Sequence, residues 1–324
     1  MSAIVKVGVV AWLLCVPVAA LVPAIASAQN YPTKPVRIVT GGTGSNSDFA
    51  ARLIAQGLTA ALKQQVIVEN RPSGVILGEI VAKSAPDGYT LLVSASSFWL
   101  APFLQHGLPW DPVRDFAPII LACTSPNLVV VHPSLAVKSI AELIAFARAR
   151  PGVLNYASGA TGSSPHLSAE LFKTMAGVNI TRINYRGSGP AMNDLISGQV
   201  KLMFAAAASV MTHVKSGRLR ALAVTTAQTS AVAPDLPTVA ASGVPGYAFE
   251  SITGMFAPAK TPDALVRRLN RETVAVLKSA EVRERFFNSG VETVGSSPEE
   301  LAATVRAEMS RLGKLIKDAG IQNE

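Results

Sequence analysis

The stretch IVTGGTGSNSDFAARLIA, residues 38–55, decides how the chain is read. Three β-formers run into a glycine-rich turn, and the turn runs into a helix with apolar residues at helical spacing. That is the outline of a nucleotide-binding strand–turn–helix, and Thr40-Gly41-Gly42-Thr43-Gly44 reads as the opening of a dinucleotide fingerprint. A second strand, VIV at 66–68, ends in Glu69, roughly 25 residues beyond Gly44 and near the spacing of a ribose-binding acid. The fingerprint then breaks. Its third glycine should fall at position 47, where Ser47 stands, and no Tyr-x-x-x-Lys pair occurs anywhere in the chain.

The first 28 residues bear on the same question. Lys6 gives a weak positive start, the stretch 9–22 is almost wholly apolar, and Ala26-Ser27-Ala28 supplies small residues for cleavage. This reads as a secretory signal peptide rather than a membrane anchor, because Pro17 and Pro23 interrupt the apolar run and polar Gln29-Asn30 follows. An exported protein meets little dinucleotide. Cleavage leaves about 296 of the 324 residues, enough for two ordinary domains. Cys15 departs with the leader, so Cys123, set among apolar neighbours in ILACTSP, reads as a buried structural thiol. His106, His132, His166 and His213 are widely spaced, and no metal site is expected. The net charge of +8 is spread along the chain rather than clustered, which argues against nucleic acid and for a solvated surface whose positive field favours anionic ligands.

From Tyr31 onward, strand and helix signals alternate, the pattern of an α/β protein with parallel strands. Strands are expected at 36–40, 66–69 and 89–95, with helices at 48–62 and 78–84 between them. A second series starts at 127–131. It continues through a helix capped by Ser139 with Glu142 three residues on, a strand at 154–157 and a helix at 165–176. Strands at 180–185, 202–206, 221–224 and 254–257 follow, with helices at 191–197 and 209–216 and three long helices at the C-terminus. The second series repeats the opening device. Gly159-Ala160-Thr161-Gly162-Ser163-Ser164 is another small-residue turn before a helix, about 115 residues after the first. Local sequence leaves two readings open: a pair of tight turns, or two anion-binding helix N-termini facing each other as a clamp.

Hydrolase chemistry has little support. There is no G-x-S-x-G elbow, and His166 lies in the first turn of its helix, where capping or ligand contact fits better than a partnership with Ser164. No catalytic carboxylate pair stands out; Asp48, Asp87, Asp111 and Asp115 sit mostly in turns and caps.

Ordered matches along the whole mature chain then carry a family likeness. They are YPTKPVRIV (31–39), VENRP (68–72), APDGYTLL (85–92), DPVRDFAP (111–118), SSPHL (163–167), YRGS (185–188), GRLRALAV (217–224) and PDLPTV (234–239). Taken together, they resemble the periplasmic solute-binding proteins of tripartite tricarboxylate transporters, the Bug-type receptors. The resemblance implies an α/β, two-lobe periplasmic-binding-protein-like (type II) flytrap with its ligand in the interlobe cleft. Lobe 1 is expected from residues 29–126 plus 250–324, and lobe 2 from 127–249. It further implies a non-enzymatic, monomeric, periplasmic receptor without cofactors, which passes a small organic anion to the membrane subunits of a transporter. A periplasmic component of a sensor or regulatory system is the alternative use; a carboxylate-processing enzyme is the alternative of another class.

By position, the family's ligand contacts fall on Gly42, Thr43, Gly44, Ser45, Asn46, Ser47 and Asp48 in the first turn. In the second they fall on Ala160, Thr161, Gly162, Ser163 and Ser164. Ser96, Ser97 and Ala205 complete the candidate set. Two departures stand out. The first turn lacks the aromatic and both prolines usual in the family, and Phe204-Ala205 replaces a usual Phe-Asp, removing a partner for a ligand amino group or hydroxyl. Neither turn holds a lysine or arginine, so backbone N–H groups, hydroxyls and bridging waters are expected to hold the anion, with Arg186 the nearest cation by chain order.

Overall fold

β1 (Val36–Thr40) is buried at four of its five positions and feeds α1 (Asn46–Leu62) through the glycine-rich turn. Ser45 caps that helix, its Oγ accepting the Asp48 N–H at 3.2 Å. Ala50, Leu53, Ile54, Ala55, Leu58 and Leu62 form the stripe that α1 turns inward. The computed structural model describes residues 31–43, 45–71, 74–185 and 187–322. The expected signal peptide, Gly44 and Arg186 lie outside the described residues.

β2 (Val66–Asn70), α2 (Gly74–Ala82) and β3 (Thr90–Ala95) continue the first series, and two short helices, α3 (Ser96–Trp99) and α4 (Ala101–Leu104), follow directly. β4 (Phe116–Val131) then runs for 16 residues. Next come α5 (Ile140–Ala149), β5 (Asn155–Ser158), α6 (Ser164–Ala176), β6 (Thr181–Asn184), α7 (Ser188–Ile196), β7 (Leu202–Ala206), α8 (Ala207–Lys215) and β8 (Arg220–Val224). β9 (Glu250–Pro258), α9 (Asp263–Lys278), α10 (Ala280–Asn288), β10 (Glu292–Thr293) and α11 (Pro298–Asp318) complete the chain.

The strands form one sheet in the order β2-β1-β3-β9-β4-β7-β5-β6, with β8 and β10 also pairing to β4. β1 lies parallel to β2 and β3, and β5 lies parallel to β6 and β7, so each half carries its own βα units. Two long antiparallel strands join the halves. β9 pairs with β3 and with residues 116–126 of β4, whereas residues 127–131 of β4 pair with β7 and β8. Residues 32–324 form one compact unit.

The start of β4 differs from the expected strand at 127. The added stretch holds Pro118 and Pro126, and proline cannot donate to a ladder. The register slips between Pro118 and Ile120 and Pro126 ends the pairing with β9, so both prolines sit where the ladder is already interrupted. α2 also begins four residues before its expected start.

The core of the first half is aromatic: Phe98 stacks on Trp110 at 4.7 Å and meets Phe116 and Phe256 edge-on or tilted. Phe172, Phe204 and Tyr247 play the same part in the second half. Each such ring contributes about 1.5–3 kcal/mol by leaving water. Cys123 is buried, and burial pushes its thiol up to about 12, so it is an inert structural side chain. Ser139 caps α5 as read from sequence, but Glu142 returns its bond to the Lys138 N–H instead of closing a capping box. Among the described residues no helix is long and apolar enough to cross a membrane, and no cluster of His, Cys, Asp and Glu could hold a metal ion.

Candidate ligand-binding site

Parallel strands release their chains at their C-terminal ends, where following helices point N-termini at a common space. In this protein β1, β3, β5, β6 and β7 do so around one cavity of about 480 Å³. Gly41, Gly42, Ser45, Asn46 and Ser47 approach from the first turn, and Ala160, Gly162, Ser163 and Ser164 from the second. Ser96 and Ser97 stand at the end of β3, Ser188 opens α7, and Ala206 and Ser209 flank the start of α8. The N-termini of α1, α6, α7 and α8 therefore converge. Leu77, Leu167, Met203 and Phe249 supply apolar wall.

No aspartate or glutamate lines this cavity among the described residues. One cation does. Arg71, just past β2, pairs with Glu69, yet its Nε is buried without a hydrogen-bond partner. Sequence reading looked for a cation near the second turn; the structure brings one from the β2 end, and the signal was its place one residue beyond a parallel strand. Ser188, Ser209 and Ser251 were missed as well; α7, α8 and β9 bring them to the wall from outside the two turns.

Ser163 supplies the clearest local anomaly. It is the N-cap of α6, but its Oγ makes no capping bond and is buried without any partner. Its backbone N–H is already spent on the Ala160 carbonyl at 3.0 Å, so the hydroxyl, not the amide, is what it offers the cavity. Ser164 is occupied differently, exchanging hydrogen bonds with the Asn127 side chain at 2.9 and 3.1 Å.

The second turn is held from behind. Arg182 on β6 donates to Ser158 Oγ at 2.7 Å, the Gly159 carbonyl at 2.9 Å, Thr161 Oγ1 at 3.2 Å and Asn184 Oδ1 at 2.8 Å. The Gly162 N–H donates to His166 Nδ1 at 3.1 Å, which requires that nitrogen to be unprotonated. Burial, aided by Arg182, lowers the His166 pKa to about 4. Gly162 has φ +75°, and a Cβ there would sit 2.3 Å from Leu104 Cδ1. Only glycine fits both demands.

Four candidate residues are not on the cavity wall. Thr43 is exposed. Asp48 is buried, receiving Asn70 Nδ2 at 2.7 Å and pairing with Arg52 at 3.0 Å, so its carboxylate braces the first turn. Thr161 faces Arg182. Ala205 is fully buried with Leu128 and Ala157, and Ala206, at the strand end, takes the place on the wall. His166 and Ser164 do not pair, since each is engaged elsewhere. A surface groove of about 510 Å³ beside Ala231, Arg283 and Phe287 receives none of the paired turns.

Residues 50–321 match the family model described as the tripartite tricarboxylate transporter family receptor. Protein BugT of Bordetella pertussis is 36% identical over 299 residues, covering 91% of this chain and 92% of BugT. Among solved structures, R. palustris Rpa4515 with adipate is 38% identical with a TM-score of 0.81, covering 90% of this chain and 99% of that one. MatC from Rhodopseudomonas palustris with bound malate is 29% identical with a TM-score of 0.78, covering 88% and 100%. Sheet order, convergent helix N-termini and these matches agree: the chain belongs to the tripartite tricarboxylate transporter receptor family of periplasmic solute-binding proteins.

Proposed function

We propose that this protein is an exported, monomeric receptor that captures a small organic carboxylate in the 480 Å³ cavity and delivers it to transporter membrane subunits. The observation that carries the reading is the convergence of four helix N-termini on a space without an acidic wall residue among those described. Helix dipoles and free donors favour a negative charge there. Relatives solved with adipate and malate support the same ligand class. The lobes divide at 126/127 and 249/250, where β4 passes from one half to the other and β9 begins, and bending there opens the cleft. The protein binds without turnover: the second turn spends His166 and Ser164 on structural bonds, which leaves no nucleophile–base pair.

A thermal-shift screen over mono-, di- and tricarboxylates, aromatic acids, neutral sugars and nucleotides tests this. A ligand at about 100 times its Kd adds roughly 2.7 kcal/mol when it binds only the folded form. Acids are expected to shift the melting temperature and sugars are not; a sugar response without any acid response overturns the proposal.

A further inference from the structure

The cavity hydroxyls are not equivalent, and one of them is bonded to a buried carboxylate outside the cavity. Glu308 on α11 is buried behind the end of β3. Its Oε2 lies 2.9 Å from Ser96 Oγ and 3.3 Å from Trp99 Nε1, and its Oε1 lies 3.6 Å from an Arg311 nitrogen. An indole N–H only donates, so Oε2 is an acceptor. Burial raises the Glu308 pKa against the pull of Ser96 and Arg311, but Oε2 already accepts from two donors, so any proton Glu308 takes up goes to Oε1 and Ser96 still has to donate. Ser96 must then spend its single proton on Glu308. What Ser96 turns toward the cavity is lone pairs alone.

Ser164 and Ser209 also spend their protons inside the protein, but on the neutral Asn127 side chain and Ala206 carbonyl. Among the described residues Ser97, Ser163, Ser188 and Ser251 have no hydrogen-bond partner for their hydroxyls, and those protons are free to reach a ligand oxygen. A carboxylate is thus served by the helix N-termini, whereas Ser96 is served only by a donor. A charged ammonium is disfavoured in that role, because the one charged side chain on the described wall is Arg71 and the Glu308 carboxyl behind Ser96 is already paired with Arg311.

We propose that Glu308, acting through Ser96, makes this receptor select hydroxycarboxylates, with the ligand's hydroxyl donating to Ser96 Oγ. Glu308 is a positioning residue; Ser96 makes the contact. This rests on the carboxylate reading and narrows it.

The test is isothermal titration of the full mature chain with paired acids: malate and succinate, glycolate and acetate, 3-hydroxybutyrate and butyrate, each hydroxy acid in both enantiomers, with aspartate as the ammonium arm. One neutral hydrogen bond plus the unpaired group left in its absence gives about a tenfold preference for the hydroxylated member. In Ser96→Ala that ratio should fall toward one, and aspartate should bind more weakly than malate to the wild type. A loss of stability alone would not collapse a ratio between two ligands. The wild-type ratio decides the matter by itself should Ser96→Ala fail to fold. Equal binding within the pairs, or aspartate matching malate, overturns the hydroxyl selection while leaving the carboxylate reading intact. Binding of none of these acids overturns the hydroxyl selection too, and the thermal-shift screen over the wider set of acids then decides the carboxylate reading.

Discussion

Replacing Ser163 with alanine should move stability and affinity in opposite directions. At most helix N-caps a serine side chain bonds the first turn, and its loss costs about 0.5–2 kcal/mol. Ser163 has no such bond to lose, and its Oγ is buried without a partner. An unsatisfied buried hydroxyl costs about 1–3 kcal/mol, so removing it should raise the stability of the unliganded protein by about 1 kcal/mol. For a domain of this size that is a rise of about 2 °C in Tm. With ligand bound, the same hydroxyl gains a carboxylate oxygen, and a charge-assisted hydrogen bond is worth about 1.5–3 kcal/mol. Ser163→Ala should therefore weaken binding about 10- to 100-fold. Calorimetric melting without ligand and isothermal titration with the best-binding acid measure the two effects separately. A variant that melts lower and binds as well as the wild type would refute the reasoning, because Ser163 would then be an ordinary cap.

Gly162→Ala should abolish measurable binding, since it combines about 1–2 kcal/mol of left-handed backbone strain with the Leu104 contact at 2.3 Å. Adding Leu104→Ala should restore part of the affinity, and titration of the double variant shows whether the clash is the cause. Arg182→Ala, which removes four hydrogen bonds, two of them to the second turn, should weaken binding about tenfold and raise amide exchange across 159–163; Arg182→Lys should rescue only part, because one ammonium cannot span those acceptors. His166 titrates near 4 in the folded state against 6.5 when unfolded, so the unfolded chain binds more protons between those values and stability falls as pH falls through that window. His166→Asn, which can still accept from Gly162, should lose about 3 kcal/mol less than the wild type between pH 7 and pH 4, read from denaturant unfolding.

Much of this arrangement was legible in the chain itself. The strand–turn–helix units could be read from apolar spacing because each is local, and both glycine-rich turns were visible because small residues and helix starts adjoin in sequence. Ala205 is a buried core position of β7, and the cavity wall takes up the next residue, Ala206, at the strand's last pairing. Asp48 and Thr161 look like ligand contacts by type, but their partners, Asn70 and Arg182, come from neighbouring strands, and those bonds turn them away from the cavity. Arg71 and Glu308 were beyond local reading altogether. Their importance arises from packing across the sheet: Ser96 and Glu308 are 212 residues apart. The first half of β4 was hidden by two prolines that its irregular register accommodates.

The position of β9 has a consequence for the order of folding. β9 lies between β3 and the first half of β4, and it is the strand that joins them. As the chain emerges N-terminus first, β1, β2 and β3 can pair early, but their sheet has an open edge until residue 258 has appeared. The second half needs no such wait, since β5, β6, β7 and β8 are contiguous with the end of β4. Closure of the first half is a late, long-range event of the kind that slows folding. Until then the chain stays incomplete, with an exposed strand edge for a holding chaperone to cover.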